Sequence, residues 1–172
     1  AGLENDKHVL CEARMAMNAS EAHEMLETAR QFPHLISQIV PSPFTLPWDQ
    51  TIQDLIADGY LGDIYSIEIR GVADTFVDRG TVRHWRQDFD MSGYNTMAMG
   101  IWYEAMIRWA GRATKVMAMT KVNASYRIDD NGNRVGVTIP DHVDVLCELA
   151  NGAQAHIRVS AATGLSPGND IW

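Results

Sequence analysis

The strongest constraint on the fold lies near the C-terminal end, where two apolar alternations flank an Asn-Gly pair. Val143, Val145, Cys147 and Leu149 come before it, and Ala153, Ala155, Ile157 and Val159 after it. A period of two puts every second side chain on one face of a strand. Asn151-Gly152 tolerates the positive φ of a tight turn, so the stretch predicts a β-hairpin with one apolar face. Upstream, Trp48 to Asp58 carries Trp48, Ile52, Leu55 and Ile56 at helical spacing, and Asp63 to Asp74 alternates as a strand with Tyr65, Ile67 and Ile69 on one side. Ser92 to Ala110 is helical by Met99, Trp102, Met106 and Trp109, with Gly111 as its stop, and Thr114 to Ala124 reads as a further strand. Asp129 to Gly136 reads as a polar turn region, and the chain from Ala161 onward as small, polar and turn-like. The order from residue 44 predicts an α+β domain: an open, mainly antiparallel β-sheet with helices on one face.

The first 40 residues follow a different plan. His8-Val9-Leu10-Cys11 is a short apolar run, and Asn18 with Glu21 three residues later has the spacing of a capping box. Ala22, Met25, Leu26 and Ala29 form the apolar stripe of the helix that follows, which ends near Pro33; Leu35 to Val40 is a second β-branched run. Strand, helix, strand is a βαβ unit, which connection geometry makes parallel. Three of the six prolines fall between Pro41 and Pro47. We therefore expect one unit over 1–43 and a second over 44–172.

Charge excludes some functions. With 14 Lys+Arg against 22 Asp+Glu the formal net charge is −8, the wrong sign for nucleic acid or an anionic membrane. The most apolar helix is interrupted by Glu104 and Arg108, far short of a bilayer span. Cys11 and Cys147 belong to no CxxC or Cys/His cluster. Separate thiols and no visible signal peptide point to a reduced, cytoplasmic setting, and a start at Ala1 without initiator Met points to an upstream segment. His142 stands between Asp141 and Asp144 with His156 opposite, but two ligands without a third do not make a metal site, and none is expected.

The segment from Asp74 to Asp90 has no period and contains Arg79-Gly80-Thr81-Val82-Arg83-His84-Trp85-Arg86. Such a cationic, aromatic loop in an acidic chain suits a small anionic or polyhydroxylated substrate. Equally, its arginines can pair with Asp74, Asp78, Asp88 and Asp90 in a solvated loop.

Lys7-His8-Val9-Leu10-Cys11-Glu12 resembles the glucose–fructose oxidoreductase / inositol dehydrogenase (Gfo/Idh/MocA) family, whose corresponding strand reads much like GKHVLCEKP. The helix at Asn18, the Gly59-Tyr60-Leu61-Gly62-Asp63-Ile64 turn into a strand, Trp85 in its arginine-rich loop, Ser92-Gly93 and the Asn-Gly hairpin agree in order. The resemblance implies a two-domain enzyme, a Rossmann domain holding NAD or NADP and a C-terminal domain whose open sheet shapes the substrate pocket and often pairs subunits. On that plan residues 1–43 are a remnant of the Rossmann domain. No GxGxxG occurs in the chain, so these residues alone should not hold a dinucleotide tightly.

Two departures from the family pattern bear on chemistry. Its Glu-Lys-Pro lysine, placed near the nicotinamide, aligns with Ala13 in Glu12-Ala13-Arg14, and an arginine cannot act as the missing base. Its Asp-x-Gly-x-His-x-x-Asp helix signature aligns with Ala98, Gly100, Trp102 and Ala105, keeping only the glycine. The candidates for proton transfer are then His84, Tyr103 and Glu104. Arg79, Arg83, Trp85, Arg86 and Asn95 are the candidates for substrate binding, and the resemblance places Glu12, Ala13 and Arg14 beside the cofactor. For each a plainer role is available: Tyr103 packed at the sheet surface, Glu104 solvated, Glu12 bonded locally. The leading expectation is the substrate-binding half of an NAD(P)-dependent sugar or polyol oxidoreductase that self-associates through a sheet face. The alternative is a non-catalytic ligand-binding or assembly relative that has lost the family Lys and His.

Overall fold

The computed structural model describes residues 1–40, 45–94, 96 and 98–171. The expected boundary at 43/44 lies outside the described residues. β1 (Val9–Cys11), α1 (Ala19–Gln31) and β2 (Ser37–Ile39) form the expected βαβ unit, with β1 and β2 parallel in the register Val9 to Ser37 and Cys11 to Ile39. Asn18 caps α1 by accepting the Glu21 N–H at 3.0 Å, a contact worth about 1 kcal/mol. The capping box itself does not close: the Glu21 carboxylate accepts from the Met17 amide at 2.9 Å instead of the Asn18 amide. Met25 and Leu26 on the apolar stripe of α1 remain exposed, as do Leu10 and Ile36.

The second unit runs through α2 (Leu46–Ala57), β3 (Ser66–Val72), a long loop, a 3₁₀ turn (Trp85–Gln87), α3 (Phe89–Ser92) and α4 (Met99–Ala110). It continues with β4 (Ala113–Lys121), β5 (Tyr126–Ile128), β6 (Arg134–Gly136), β7 (His142–Leu149), β8 (Gln154–Ser160) and β9 (Asn169–Ile171). Five strands form one sheet in the order β4-β7-β8-β3-β9. All neighbours are antiparallel except the central β3–β8 pair, which is parallel from Ser66 opposite Gln154 to Val72 opposite Ser160. The hairpin stands in the register that its alternation predicts, Val145 against Ile157 and Cys147 against Ala155, with Gly152 at φ 87° in its turn.

α4 lies on one face of this sheet, where Trp102, Met106 and Ala110 pack on Ile69, Cys147, Leu149, Ala155, Ile157 and Val159. The apolar hairpin face, Val143, Cys147 and Leu149 with Ala153, Ala155, Ile157 and Val159, is the buried core, so the sheet face left for the expected self-association is the other one. Trp48 is also displaced from its expected place: it is 65 % exposed, because Ile52, Leu55 and Ile56 already supply the half-buried side of α2.

Other boundaries move for local reasons. The helix expected from Ser92 begins only at Met99. Gly93 turns the chain at φ 59°, and a Cβ there would collide with the Met17 carbonyl, so the backbone must change direction where the two units touch. The polar region 129–136 contains the turn of a small β5–β6 hairpin, and the tail after Ala161 returns as β9 to pair with β3. β3 is shorter than expected and leaves Tyr65 exposed, while Ile69 is fully buried.

The opposite sheet face is charged. Asp144 accepts from His142 Nε2 at 2.8 Å, His156 Nε2 at 2.9 Å and Arg158 Nε at 3.0 Å; Arg70 bonds Glu68 at 3.0 Å and approaches Asp170 at 3.8 Å. Burial works to raise the Asp144 pKa, but the hydrogen bonds from His156, Arg158 and His142 outweigh it and hold the carboxyl at about 2, against an ordinary 3.8. A depressed carboxyl stabilises the fold at pH values above its unfolded pKa and loses that contribution as pH falls through the folded one. Stability should therefore drop between about pH 4 and 2, and urea midpoints measured across that window should fall less steeply in Asp144→Asn.

Candidate functional site

A cavity of about 150 Å³ opens beyond the C-terminal end of β1. Arg14 to Met17 of the β1–α1 connection and Glu21 in the first turn of α1 form one side, and Trp85, Met91 and Ser92 the other. A larger open depression, about 430 Å³, lies between Ile64-Tyr65 and the Asn151-Gly152 turn. Its one charged lining residue is Asp63, and it gathers none of the candidate catalytic, substrate-binding or cofactor-binding residues.

The wall carrying Trp85 is built by a chain of short-range contacts. His84 Nδ1 accepts the Arg86 N–H at 3.1 Å, and the His84 N–H donates to the Gln87 side chain at 3.0 Å, so the two ends of the 3₁₀ turn cap each other. An accepting Nδ1 makes the neutral His84 ring the Nε2–H tautomer. Ser92 Oγ donates to the carbonyls of Arg86 and Asp88 at 3.2 and 2.9 Å and ties α3 back to the turn. The guanidinium of Arg86 lies 4.3 Å from the centre of the Trp85 ring, a cation–π contact that flattens it along the wall.

Arg14 enters from the other side and is half-buried. Burial, and then the neighbouring charge of Arg86, pull its pKa down to about 10, so it stays cationic at neutral pH. Arg14, Trp85 and Arg86 are thus brought together from segments some seventy residues apart. Arg83 instead pairs with Asp88 at 2.7 Å, and Arg79 donates to the Asn123 carbonyl at 3.3 Å. For Arg83 the solvated-loop pairing is realised, and both arginines brace the loop.

The remaining candidates stand elsewhere. Tyr103 accepts the Ala113 N–H at 3.2 Å and packs against the core. Glu104 pairs with Arg108, which also reaches Asp49 at 2.8 Å and Thr45 at 2.9 Å, fastening α4 to α2. Neither lines the cavity. Glu12 accepts its neighbour's amide, Ala13 N–H, at 3.2 Å, and both residues are exposed. Trp102, aligned with the family histidine, is buried in the core against Gly71. Asn95 lies outside the described residues.

Sequence reasoning missed what holds the loop. Arg127 of β5 is fully buried and donates to the carbonyls of Phe76 at 2.7 Å and Asp78, and to Thr81 Oγ1 at 3.3 Å. Burial pulls its pKa below the usual arginine value, while Asp141 and Asp78 oppose that fall. Arg83 N–H meets the Ile128 carbonyl at 2.8 Å, so the small hairpin backs the whole arginine segment. A cation flanked by Tyr126 and Ile128 was the available signal, in a strand too short to show its period.

No group of three or more His, Cys, Asp or Glu side chains among the described residues is placed to hold a metal ion. No helix among them is long and apolar enough to cross a membrane. No glycine-rich GxGxxG turn is present in the chain to offer amides to the pyrophosphate of a dinucleotide. At the opening of α1, Asn18 accepts the Glu21 N–H and the Glu21 carboxylate accepts the Met17 N–H.

Similarity to known proteins agrees with this architecture. The chain is 24% identical over 172 residues to trans-1,2-dihydrobenzene-1,2-diol dehydrogenase of Mus musculus, an alignment covering 96% of this chain and 49% of that enzyme. It therefore spans about half the length of that relative. An oxidoreductase domain protein from Kribbella flavida superposes with a TM-score of 0.87 at 24% identity over 98% of this chain and 46% of its own. Levoglucosan dehydrogenase in its apo form gives 0.87 at 19% identity over the same shares, and that enzyme is also known in complex with NADH and levoglucosan. The model of the GFO/IDH/MocA C-terminal domain matches residues 50–171, and the chain belongs to the Gfo/Idh/MocA oxidoreductase family.

Proposed function

We propose that this chain is the substrate-binding half of an NAD(P)-dependent oxidoreductase of the sugar and polyol dehydrogenase type, with residues 1–43 a Rossmann remnant and 44–172 the substrate domain. The dinucleotide is then held by residues beyond these 172. The observation that carries the reading is the cavity at the end of β1, where the βαβ unit and the loop carrying Trp85 and Arg86 meet. The family membership and the names of the relatives supply the reaction class. NAD(P)-linked turnover by the full-length protein over a panel of sugars and polyols is the test. Cofactor binding with no turnover of any member would sink the reading.

Of the three groups offered for proton transfer, His84 alone stands on the segment that builds the cavity wall, and its Nε2 is not the nitrogen used to hold Arg86. His84 is accordingly assigned to proton transfer. His84→Asn keeps an acceptor for the Arg86 N–H yet cannot relay a proton, so kcat should fall by about 10²- to 10⁴-fold. An unchanged kcat would return the role to Tyr103 or Glu104. The non-catalytic alternative rests on Ala13 and on the burial of Trp102. Ala13→Lys separates the two, since a protein already active and unimproved by the lysine removes the alternative's main support.

Self-association belongs to the same reading, with the occupant a second copy seated on the outer sheet face. There Met117, Met119 and Leu146 are exposed beside balanced charges, Lys115, Arg70 and Arg158 against Glu148, Glu68 and Asp144. In a chain of net charge −8 a neutral patch is where two copies repel least. Sedimentation velocity should give a dimer that Met119→Asp converts to monomer; a monomeric parent at micromolar concentration would contradict it.

A further inference from the structure

Gly93 stands apart from the other glycines that turn the chain. Seven glycines among the described residues take a positive φ, and at the six others an added Cβ would meet nothing within 4 Å. A Cβ on Gly93 would lie 2.9 Å from the Met17 carbonyl carbon and 3.0 Å from the Met17 Cβ, and closer still to the carbonyl oxygen. Here the missing side chain lets two stretches of main chain touch. We propose that this abutment of Gly93 on Met17 is a positioning stop, which sets the width of the cavity beyond β1 and with it the alignment of substrate against the nucleotide-bearing half. The proposal rests on the oxidoreductase reading and makes Gly93 a positioning residue for its reaction.

Three observations carry it. First, the contact joins the two sides of the cavity: Met17 lines one, and Ser92, the residue before Gly93, lines the other. Second, each side is braced. The Met17 N–H donates to the Glu21 carboxylate at 2.9 Å and the Glu21 N–H to Asn18 Oδ1 at 3.0 Å, which fastens Met17 to the first turn of α1. The Gly93 N–H donates to the Phe89 carbonyl at 2.8 Å, and Ser92 Oγ donates to the Arg86 and Asp88 carbonyls, which fastens Gly93 to the wall of Trp85. A push at the contact therefore moves α1 against that wall. Third, the atoms that Gly93 faces are the carbonyl and Cβ of Met17, so no change of rotamer relieves the crowding. Carbon atoms in ordinary contact stand about 3.5–4.0 Å apart, and a side chain at position 93 would drive the two sides apart by about 0.5–1 Å.

Gly93→Ala in the full-length protein should lower kcat for NAD(P)-linked turnover about 10²-fold, the cost of a misplacement of about 1 Å, while the dissociation constant of the dinucleotide stays at the parent value. Gly111→Ala is the control. At φ 87° and ψ 178° it strains an alanine as Gly93 does at φ 59° and ψ −153°, but its Cβ has open space. It should lose a comparable amount of melting temperature and keep its kcat. Glu21→Ala releases the Met17 amide and should also lower kcat, whereas Glu21→Gln keeps an acceptor for that N–H and should retain it; this pair decides the matter where Gly93→Ala does not fold. Hydrogen exchange on peptides covering 13–18 and 85–92 needs no turnover: Gly93→Ala should speed both segments and Gly111→Ala neither. Parent kcat in Gly93→Ala, an equal loss in Gly111→Ala, equal kcat in the two Glu21 variants, or unchanged exchange in both segments would overturn the stop. A parent protein without turnover, whose exchange still responds to Gly93→Ala, would sink the oxidoreductase reading and leave the abutment standing.

Discussion

Gly71→Val should lower stability by about 3 kcal/mol, the upper end of what overpacking a filled core costs, and reduce Tm by roughly 6–12 °C for a chain of this size. Gly71 lies on the inner face of β3, opposite Val159 of β8. A Cβ at this position would collide with the edge of the Trp102 indole, 2.3 Å from Nε1 and 2.7 Å from Cδ1. Trp102 is 6 % exposed and enclosed by the hairpin's apolar residues, so the ring has nowhere to swing. Thermal unfolding by circular dichroism measures the loss. Trp102→Leu should restore part of it in the Gly71→Val background while destabilising the parent by itself, a coupling expected only of residues in contact. Strict additivity of the two changes would mean that the indole does not occupy this space. The same contact explains why α4 has no histidine facing the sheet here: the aligned position is committed to packing.

Arg127→Met is the second large effect, about 3 kcal/mol, because several hydrogen bonds to a buried charge disappear together and leave backbone carbonyls without donors. The carbonyls of Phe76 and Asp78 and the Thr81 hydroxyl all lie on the segment that leads to Arg83 and Trp85. Two readouts are expected to move together: a lower urea midpoint and faster proteolytic cleavage between residues 77 and 83. Arg127→Lys should not rescue either, since one ammonium cannot donate in the spread of directions that the planar guanidinium serves. A variant with normal stability and a protected loop would show that the β5–β6 hairpin does not support the site.

What could be read from the residues follows the range of the forces involved. The hairpin at 143–159 is legible to the residue because alternation and turn chemistry are both local, and α2 and β4 are legible for similar reasons. The break at Gly93 is not, since its cause is the Met17 carbonyl more than seventy positions away. β9 and the β5–β6 pair have three residues per strand, too few for any period to appear. In the cavity, Trp85 and Arg86 stand out as a cationic, aromatic run and Arg14 by its neighbours, but their meeting is tertiary. Tyr103 and Glu104 have the right chemistry on the right helix, yet an amide of β4 and the guanidinium of Arg108 claim them. Nothing short of the packed structure distinguishes a free phenol from one already holding a backbone amide.

The parallel pairing of β3 with β8 has a consequence for how selectivity can be altered. Both strands deliver their chain at the same edge, where Ala73 N–H meets the Ser160 carbonyl, Phe76 N–H the Ala161 carbonyl and Thr163 N–H the Ala73 carbonyl. These amides rivet the base of the excursion that follows, while its tip, from Val77 to Val82, is pinned a second time by Arg127 and the Ile128 backbone. Grafting a new recognition segment here, natural or engineered, therefore has to respect two anchors, of which only the first belongs to the five-stranded layer.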